Sequence, residues 1–288
     1  MRHTRIHFDY ELKLAWAKAR IRRWLSHWGQ QCYVSFSGGK DSTVLLHLVR
    51  EQNPTIPAVY VNSGLEFPEV TEFVKQTDNV TWLRPSKSFK QVIEQHGYPV
   101  VSQRISRMVD DLRNGKHNQK TKKLYLTGGK YPRFKFPKKW KFLLDAPFPI
   151  SAKCCTVMKK SAFWKYERRT GRVPFVGLLA TESRQRLSRY LNHQCNLYTA
   201  THPTSSPLSL WTEADIWRYI EDHRLPYASC YDLGYPRTGC LFCLFGIQYE
   251  TEPNRIQRLA QTHPRLYTYC LEQLDLRTVL DYLNVPYD

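Results

Sequence analysis

Hydrophobic positions change period several times along this chain. Leu14, Ala17, Ile21, Trp24, Leu25 and Trp28 recur every three or four residues, with Lys18, Arg20, Arg22 and Arg23 on the other side. That spacing predicts an amphipathic helix over 9–28, its tryptophans in the core. An unbroken apolar run at 32–36 predicts a buried strand, after which Val44, Leu45, Leu46, Leu48 and Val49 return to helical spacing. Strands are predicted again at 58–62 and 80–83, helices at 68–76 and 89–96. Alternation of this kind specifies βαβ units: a doubly wound α/β fold with a mostly parallel sheet and ligands bound beyond the carboxyl ends of its strands. A further buried strand is expected at 173–179. Thr212-Glu213-Ala214-Asp215 reads as the capped start of a helix running through Ile220. Beyond Cys243 the pattern is helical over 254–261, 264–273 and 276–283. The expected organisation is one α/β domain over 1–246 and a helical extension over 247–288 packed on it. No internal repeat is visible.

Residues 113–142 break the pattern. No acidic residue occurs from Leu112 to Leu144, whereas eleven Lys and Arg residues fall between Arg113 and Lys141, Lys116 among them. Tyr125, Tyr131, Phe134, Phe136, Trp140 and Phe142 are interleaved with them. Basic side chains neutralise phosphates and aromatic faces stack unpaired bases, so the segment is a candidate contact for nucleic acid, DNA or RNA. A solvated loop is the alternative. Gly128-Gly129, Pro132 and Pro137 suggest an ordered, partly extended excursion rather than a helix, inserted in the α/β domain.

Composition narrows the classes. With 288 residues and 42% hydrophobic content the chain can bury a sizeable core. Its net charge of +18 calls for an anionic partner. No run of eighteen apolar residues exists and the first residues carry no apolar signal core, so a cytoplasmic protein without a membrane partner is expected. Eight cysteines in such a chain point to metal or redox chemistry rather than disulfides.

Ser37-Gly38-Gly39-Lys40-Asp41-Ser42-Thr43 follows the strand at 32–36 and opens the next helix. A strand–glycine turn–helix aims backbone N–H groups at an anion, and the hydroxyls and Lys40 add donors and charge. The spacing is neither GxxxxGK[ST] nor GxGxxG. Cys154-Cys155 and Cys240-x-x-Cys243 form the second constellation. Paired thiolates from two places can make a four-thiolate centre, but the stretch 156–239 separates them, so only tertiary structure can unite them. Spacing alone leaves an iron–sulfur cluster, zinc, a redox pair at Cys240/Cys243, and thiols that bind nothing all open. Cys32, Cys195, Cys230 and Cys270 read as small core residues.

The glycine loop resembles the PP-loop signature of ATP pyrophosphatases and sulfonucleotide reductases. Asn62-Ser63-Gly64 is similar to the Asp-Thr-Gly of that group's second strand, which implies contact with the base and ribose of an adenine nucleotide. The double cysteine and CxxC resemble the set that holds the 4Fe–4S cluster of bacterial adenylylsulfate reductases. Gly177 to Arg186 is similar to a reductase segment: Ser183 and Arg186 match, while Leu179 and Ala180 stand where two arginines are usual. The run from Trp211 to Cys240 is similar as well. The chain is thus identified as a member of the PAPS reductase-like group of the PP-loop superfamily, in its iron–sulfur branch. It ends without the Glu-Cys-Gly motif whose cysteine attacks the sulfonucleotide.

The resemblance implies an ATP pyrophosphatase working in sulfur transfer to nucleic acid. Ser37, Gly38, Gly39, Ser42 and Thr43 would hold the pyrophosphate, Lys40 would neutralise it, and Asp41 would place Mg²⁺. Arg184, Arg186 and Lys159 are candidate clamps for a second phosphate. Cys154, Cys155, Cys240 and Cys243 would hold a 4Fe–4S cluster, or Zn²⁺, and a sulfur-donor protein would be a partner. Two alternatives stand beside this one: a reductase that releases sulfite from an adenine sulfonucleotide, and a nucleic-acid-binding protein on a degenerate nucleotide fold.

Overall fold

The computed structural model describes residues 8–115, 119–199 and 201–288, which form two compact units interleaved along the chain. The first takes the chain up to Asn62, then Glu66–Arg84 and Phe163–Thr238; the second takes Ser63–Leu65, Pro85–Ala162 and Gly239–Asp288. In chain order the first unit opens with α1 (Tyr10–Trp28), β1 (Cys32–Ser35), α2 (Lys40–Gln52), β2 (Ala58–Val61), α3 (Pro68–Lys75) and β3 (Val80–Leu83). The second unit then contributes α4 (Phe89–His96), β4 (Val100–Val101), α5 (Gln103–Asn114) and α6 (Gln119–Thr127), with a π-helical turn at Thr156–Lys160. The first resumes with α7 (Ser161–Thr170), β5 (Val173–Val176), α8 (Arg184–His193), β6 (Asn196–Leu197), β7 (Thr204–Ser205) and α9 (Glu213–Asp222). β8 (Leu244–Phe245), α10 (Arg255–Thr262), α11 (Pro264–Thr268) and α12 (Leu276–Tyr282) complete the second.

The first unit carries a six-stranded sheet in the order β3-β2-β1-β5-β7-β6, parallel except for the β6–β7 pair. Val34 faces Ala58 on one side and Phe175 on the other. Adjacent residues on a strand point to opposite faces, so Phe175 and Tyr33 mark the two sides of the sheet. Trp24 of α1 lies 6.3 Å from Phe175 between ring centroids. On the other side Tyr33 and Val59 cluster with Tyr166 of α7. Helices therefore cover both faces, which is the doubly wound architecture expected. Cys32, Cys195, Cys230 and Cys270 are all buried, as core residues should be.

In the second unit, β4 and β8 pair in parallel, Val100 with Leu244 and Val101 with Phe245. The expectation that 113–142 avoids helix is not met: α6 is helical, and two 3₁₀ segments follow at Pro132–Phe134 and Lys138–Asp145. Its glycines end helices rather than prevent them. Gly115, at φ +67°, caps α5, and the Gly128 N–H closes α6 on the Leu124 carbonyl at 2.7 Å. Lys116 lies outside the described residues. In the compact units 85–162, with the basic segment, groups with 239–288. Among the described residues no helix is long and apolar enough to cross a membrane.

Candidate active site

The glycine loop sits at the carboxyl end of β1, and Gly39 is the N-cap of α2. Its hydroxyls first shape the loop itself. Ser42 Oγ accepts from the Ser37 N–H at 3.2 Å and donates to the Gly39 carbonyl at 2.8 Å, while Thr43 Oγ1 donates to the same carbonyl at 3.2 Å. Gly38 takes φ +71° and packs against Val70 and Val74, where a Cβ would come within 2.8 Å of each. The result is a tight turn whose amides open the positive end of a 13-residue helix.

Lys40 is only 6% exposed. Its ammonium donates to the Pro236 carbonyl at 3.0 Å, pairs with Glu213 at 3.1 Å, and lies 5.1 Å from the centre of the Tyr231 ring. The Lys40 backbone N–H donates to Tyr231 Oη at 2.9 Å. Asp41 Oδ1 is buried and has no hydrogen-bond partner among the described residues. Burial raises the Asp41 carboxyl above the usual range, Lys40 opposes that rise, and Glu213 adds to it. Arg186 is near enough to act on Asp41: burial lowers the Arg186 pKa and Asp41 pulls it back up. Arg186 also pairs with Glu182, one turn away on the approach to α8. Arg184 is exposed at the first position of α8, and Ser183 spends its hydroxyl capping that helix by accepting from the Arg186 N–H. The structure thus brings Lys40, Asp41 and Arg186 together but leaves Arg184 outside the group. Asn62 follows β2, its N–H donating to the Leu83 carbonyl at 2.9 Å. Ser63 is buried and Gly64 has φ +73°; both belong to the second unit.

The four cysteines converge in the second unit. Cys154, Cys155, Cys240 and Cys243 line one recess together with Leu65, Phe89, Pro99, Met158 and Lys159. The Cys243 N–H closes the C-x-x-C turn on the Cys240 carbonyl at 3.1 Å, and Arg255 holds the Cys243 carbonyl at 3.0 Å. Pairing of β8 with β4 then pins the residues that follow Cys243 beside Pro99. Cys154 and Cys155 place their sulfurs 3.8 Å apart. A hydrogen bond from the Cys154 thiol, a second from Gln103, and the charges of Lys159 and Lys160 hold Cys155 below the ordinary thiol range, against its burial. Burial pushes Cys243 up to about 11. Among the described residues no three His, Cys, Asp or Glu side chains are grouped so as to hold a single metal ion.

Glu213, Tyr231 and Pro236 are the site residues that sequence reasoning passed over. Glu213 was legible only as the first turn of a helix. The signal for the others was the aromatic run from Tyr227 to Tyr235, which directly precedes the CxxC.

A family model for the phosphoadenosine phosphosulfate reductase domain matches residues 31–244. An uncharacterized protein of Methanocaldococcus jannaschii is 24% identical over 249 residues, covering 84% of this chain and 47% of its own length. The chain spans under half the length of the archaeal relatives it matches. The adenosine 5'-phosphosulfate reductase of Bacillus mycoides is 24% identical over 213 residues, 72% of this chain and 70% of that one. Among solved structures, the phosphoadenylyl-sulfate reductase of Candida auris superposes with a TM-score of 0.46 at 14% identity, over 77% of this chain and 87% of that one.

Proposed function

The chain belongs to the phosphoadenosine phosphosulfate reductase domain family, a family of enzymes, and on that footing we propose that it is an AMP-forming ATP pyrophosphatase that activates a nucleic-acid substrate for sulfur transfer. The observation that carries this reading is the Ser37–Thr43 loop, with the buried Lys40 and Asp41 at the start of α2. Backbone amides and Lys40 suit the leaving pyrophosphate. A substrate oxygen attacks the α-phosphorus of ATP, the bond to the pyrophosphate oxygen breaks, and Lys40 and the helix start stabilise the charge that develops there. The adenylate so formed loses AMP when sulfide attacks the substrate carbon: a C–S bond forms there as the C–O bond to AMP breaks.

Asp41 favours a cation-dependent nucleotide. A buried carboxylate oxygen without a donor suits a divalent ion, and Mg²⁺ held there would neutralise phosphate charge. The all-sulfur donor set of Cys154, Cys155, Cys240 and Cys243 suits a soft metal centre. Cys154, Cys155, Cys240 and Cys243 would hold a 4Fe–4S cluster, with one zinc as the alternative for the same donor set. When bound, such a cluster supplies an iron-rich centre able to hold sulfur. Sulfonucleotide reduction, the named activity of the Bacillus relative, is less well supported: Leu179 and Ala180 are buried apolar residues, and Cys270 is fully buried.

Anaerobically prepared protein with ATP, Mg²⁺ and single-stranded or duplex nucleic acid should release AMP and pyrophosphate. Lys40→Ala should slow that release about 10²–10³-fold. Sulfite release from labelled adenosine 5'-phosphosulfate, with no AMP-forming turnover of ATP, would overturn the reading.

A further inference from the structure

Within the second unit the basic segment is not a free tether. Phe136 and Leu143 are buried, the Phe136 N–H donates to the Tyr125 carbonyl at 2.7 Å, and Tyr125 Oη donates to Asp111 at 3.0 Å. Arg104 of α5 holds the Arg133 carbonyl, and Tyr282 of α12 holds the Phe142 carbonyl at 2.8 Å. These anchors use some of the aromatic residues and leave others outward. Tyr131 is 48% exposed, and Tyr249, from the separate turn Ile247–Tyr249, is 64% exposed. Phe134 and Phe142 are exposed too.

Tyr131, Phe134 and Tyr249 each have a cation beside the ring. The Arg133 guanidinium lies 5.1 Å from the centres of both Tyr131 and Phe134. Lys139 lies 5.0 Å from Trp140 and 5.3 Å from Tyr249, and its ammonium is 3.3 Å from Tyr249 Oη. Rings left in water gain nothing from the core, and the cations beside them oppose self-association of this surface. Exposed aromatic rings, each with a cation over one face, match one chemistry well: planar bases on a polyanionic backbone. A duplex offers phosphates but hides its base faces, so the rings have a use only when the bases are unpaired.

We propose that Tyr131, Arg133, Phe134, Lys139 and Tyr249 form a stacking platform for an unpaired stretch of nucleic acid. This deepens the reading above and rests on it for the identity of the strand as substrate, but binding is testable without turnover. Fluorescence anisotropy with a short labelled single strand, RNA or DNA, should show tighter binding than with the same sequence in a duplex. Tyr249→Ala and Tyr131→Ala should each weaken single-strand binding roughly five- to 150-fold, with little effect on the duplex. Lys139→Gln should weaken both and flatten the dependence on salt between about 50 and 200 mM. Both tyrosine rings are exposed, and circular dichroism of the variants checks that folding is retained.

Equal affinity for single strand and duplex, or single-strand binding untouched by both tyrosine changes, would overturn the platform. So would anionic vesicles that displace the strand while losing affinity on the same substitutions. ATP binding measured on the same variants separates the two readings. A failed platform with ATP binding intact leaves the nucleotide site standing, and a working platform without AMP formation removes only the reaction.

Discussion

At φ −85° and ψ 159° Gly39 has a backbone that alanine adopts freely, yet a Cβ there would fall 2.5 Å from Thr238 Oγ1 and 3.3 Å from both Ser37 Oγ and Tyr231 Oη. Space, not conformation, reserves the position for glycine. Gly39→Ala should therefore push Thr238 and Tyr231 off the loop and weaken ATP binding by about 1–3 kcal/mol, the usual cost of overpacking. Thr238→Ala in the same chain removes the nearest atom and should restore part of the loss. Calorimetric titration of both variants with ATP checks this, and a Gly39→Ala protein that binds ATP as the parent does would show that the crowding is not felt. The loop was readable from sequence because strand, glycine pair, lysine and helix are neighbours along the chain. The companions of Lys40 were not, since Glu213, Tyr231 and Pro236 reach it only through the folded first unit.

Elements in the first unit are fastened by a buried ion pair that local pattern only half announces. Lys13 stands at helical spacing with Ala17, Ile21 and Trp24, all buried. A lysine in that stripe needs a counter-charge, but nothing nearby in the sequence says which. Its partner is Asp215 of α9, at 2.7 Å, with both side chains nearly closed to solvent. Asp215 also accepts from the Thr212 N–H at 2.7 Å, so one carboxylate closes the cap of α9 and ties α9 to α1. Burial alone would raise the Asp215 pKa; the bonds from Lys13 and Thr212 outweigh it and hold the carboxyl below its ordinary value. A depressed carboxyl pKa contributes stability above the unfolded-state value of about 3.9, and that contribution is lost as pH falls through the lower folded-state value. Asp215→Asn leaves the Lys13 ammonium buried without its counter-charge and should cost about 3–5 kcal/mol at neutral pH. Urea unfolding across the acid range should show a smaller stability loss on acidification for the variant than for the parent. An unchanged acid profile would mean that Asp215 contributes nothing to it. The cap itself was legible, because Thr212 and Asp215 lie three residues apart; the tie to α1 was not.

At the scale of the whole chain, strand and helix periods announced the parallel sheet, because each βαβ unit is local. The division into units could not be read that way, since the second unit is assembled from three separate stretches. Residues 247–288 read as a packed helical extension, and Ile256, Leu259, Leu271, Leu276, Val279 and Leu280 are all buried. The tail is laced to 85–162 by Tyr98 Oη on the Leu274 carbonyl at 3.0 Å and Tyr282 Oη on the Phe142 carbonyl at 2.8 Å. Arg255 reaches back to the carbonyls of Cys243 and Phe245 at 3.0 and 3.3 Å, beside the thiol recess. A chain cut after Gly246 would expose the apolar surface that these helices cover and release the Cys243 turn. Its amides in 85–162 and 239–246 should then exchange with deuterium far faster than in the full chain, while those of β1, β2 and β5 keep their protection. The same cut should leave the four cysteines evenly open to alkylation, where the full chain shields Cys154 more than the other three. Protection retained across β4 and α5 in the truncated chain would mean that the tail only covers a unit already complete without it. Protection lost there would make 247–288 a structural part of the thiol site, because a four-cysteine centre drawn from 154–155 and 240–243 depends on whatever holds those two turns against each other.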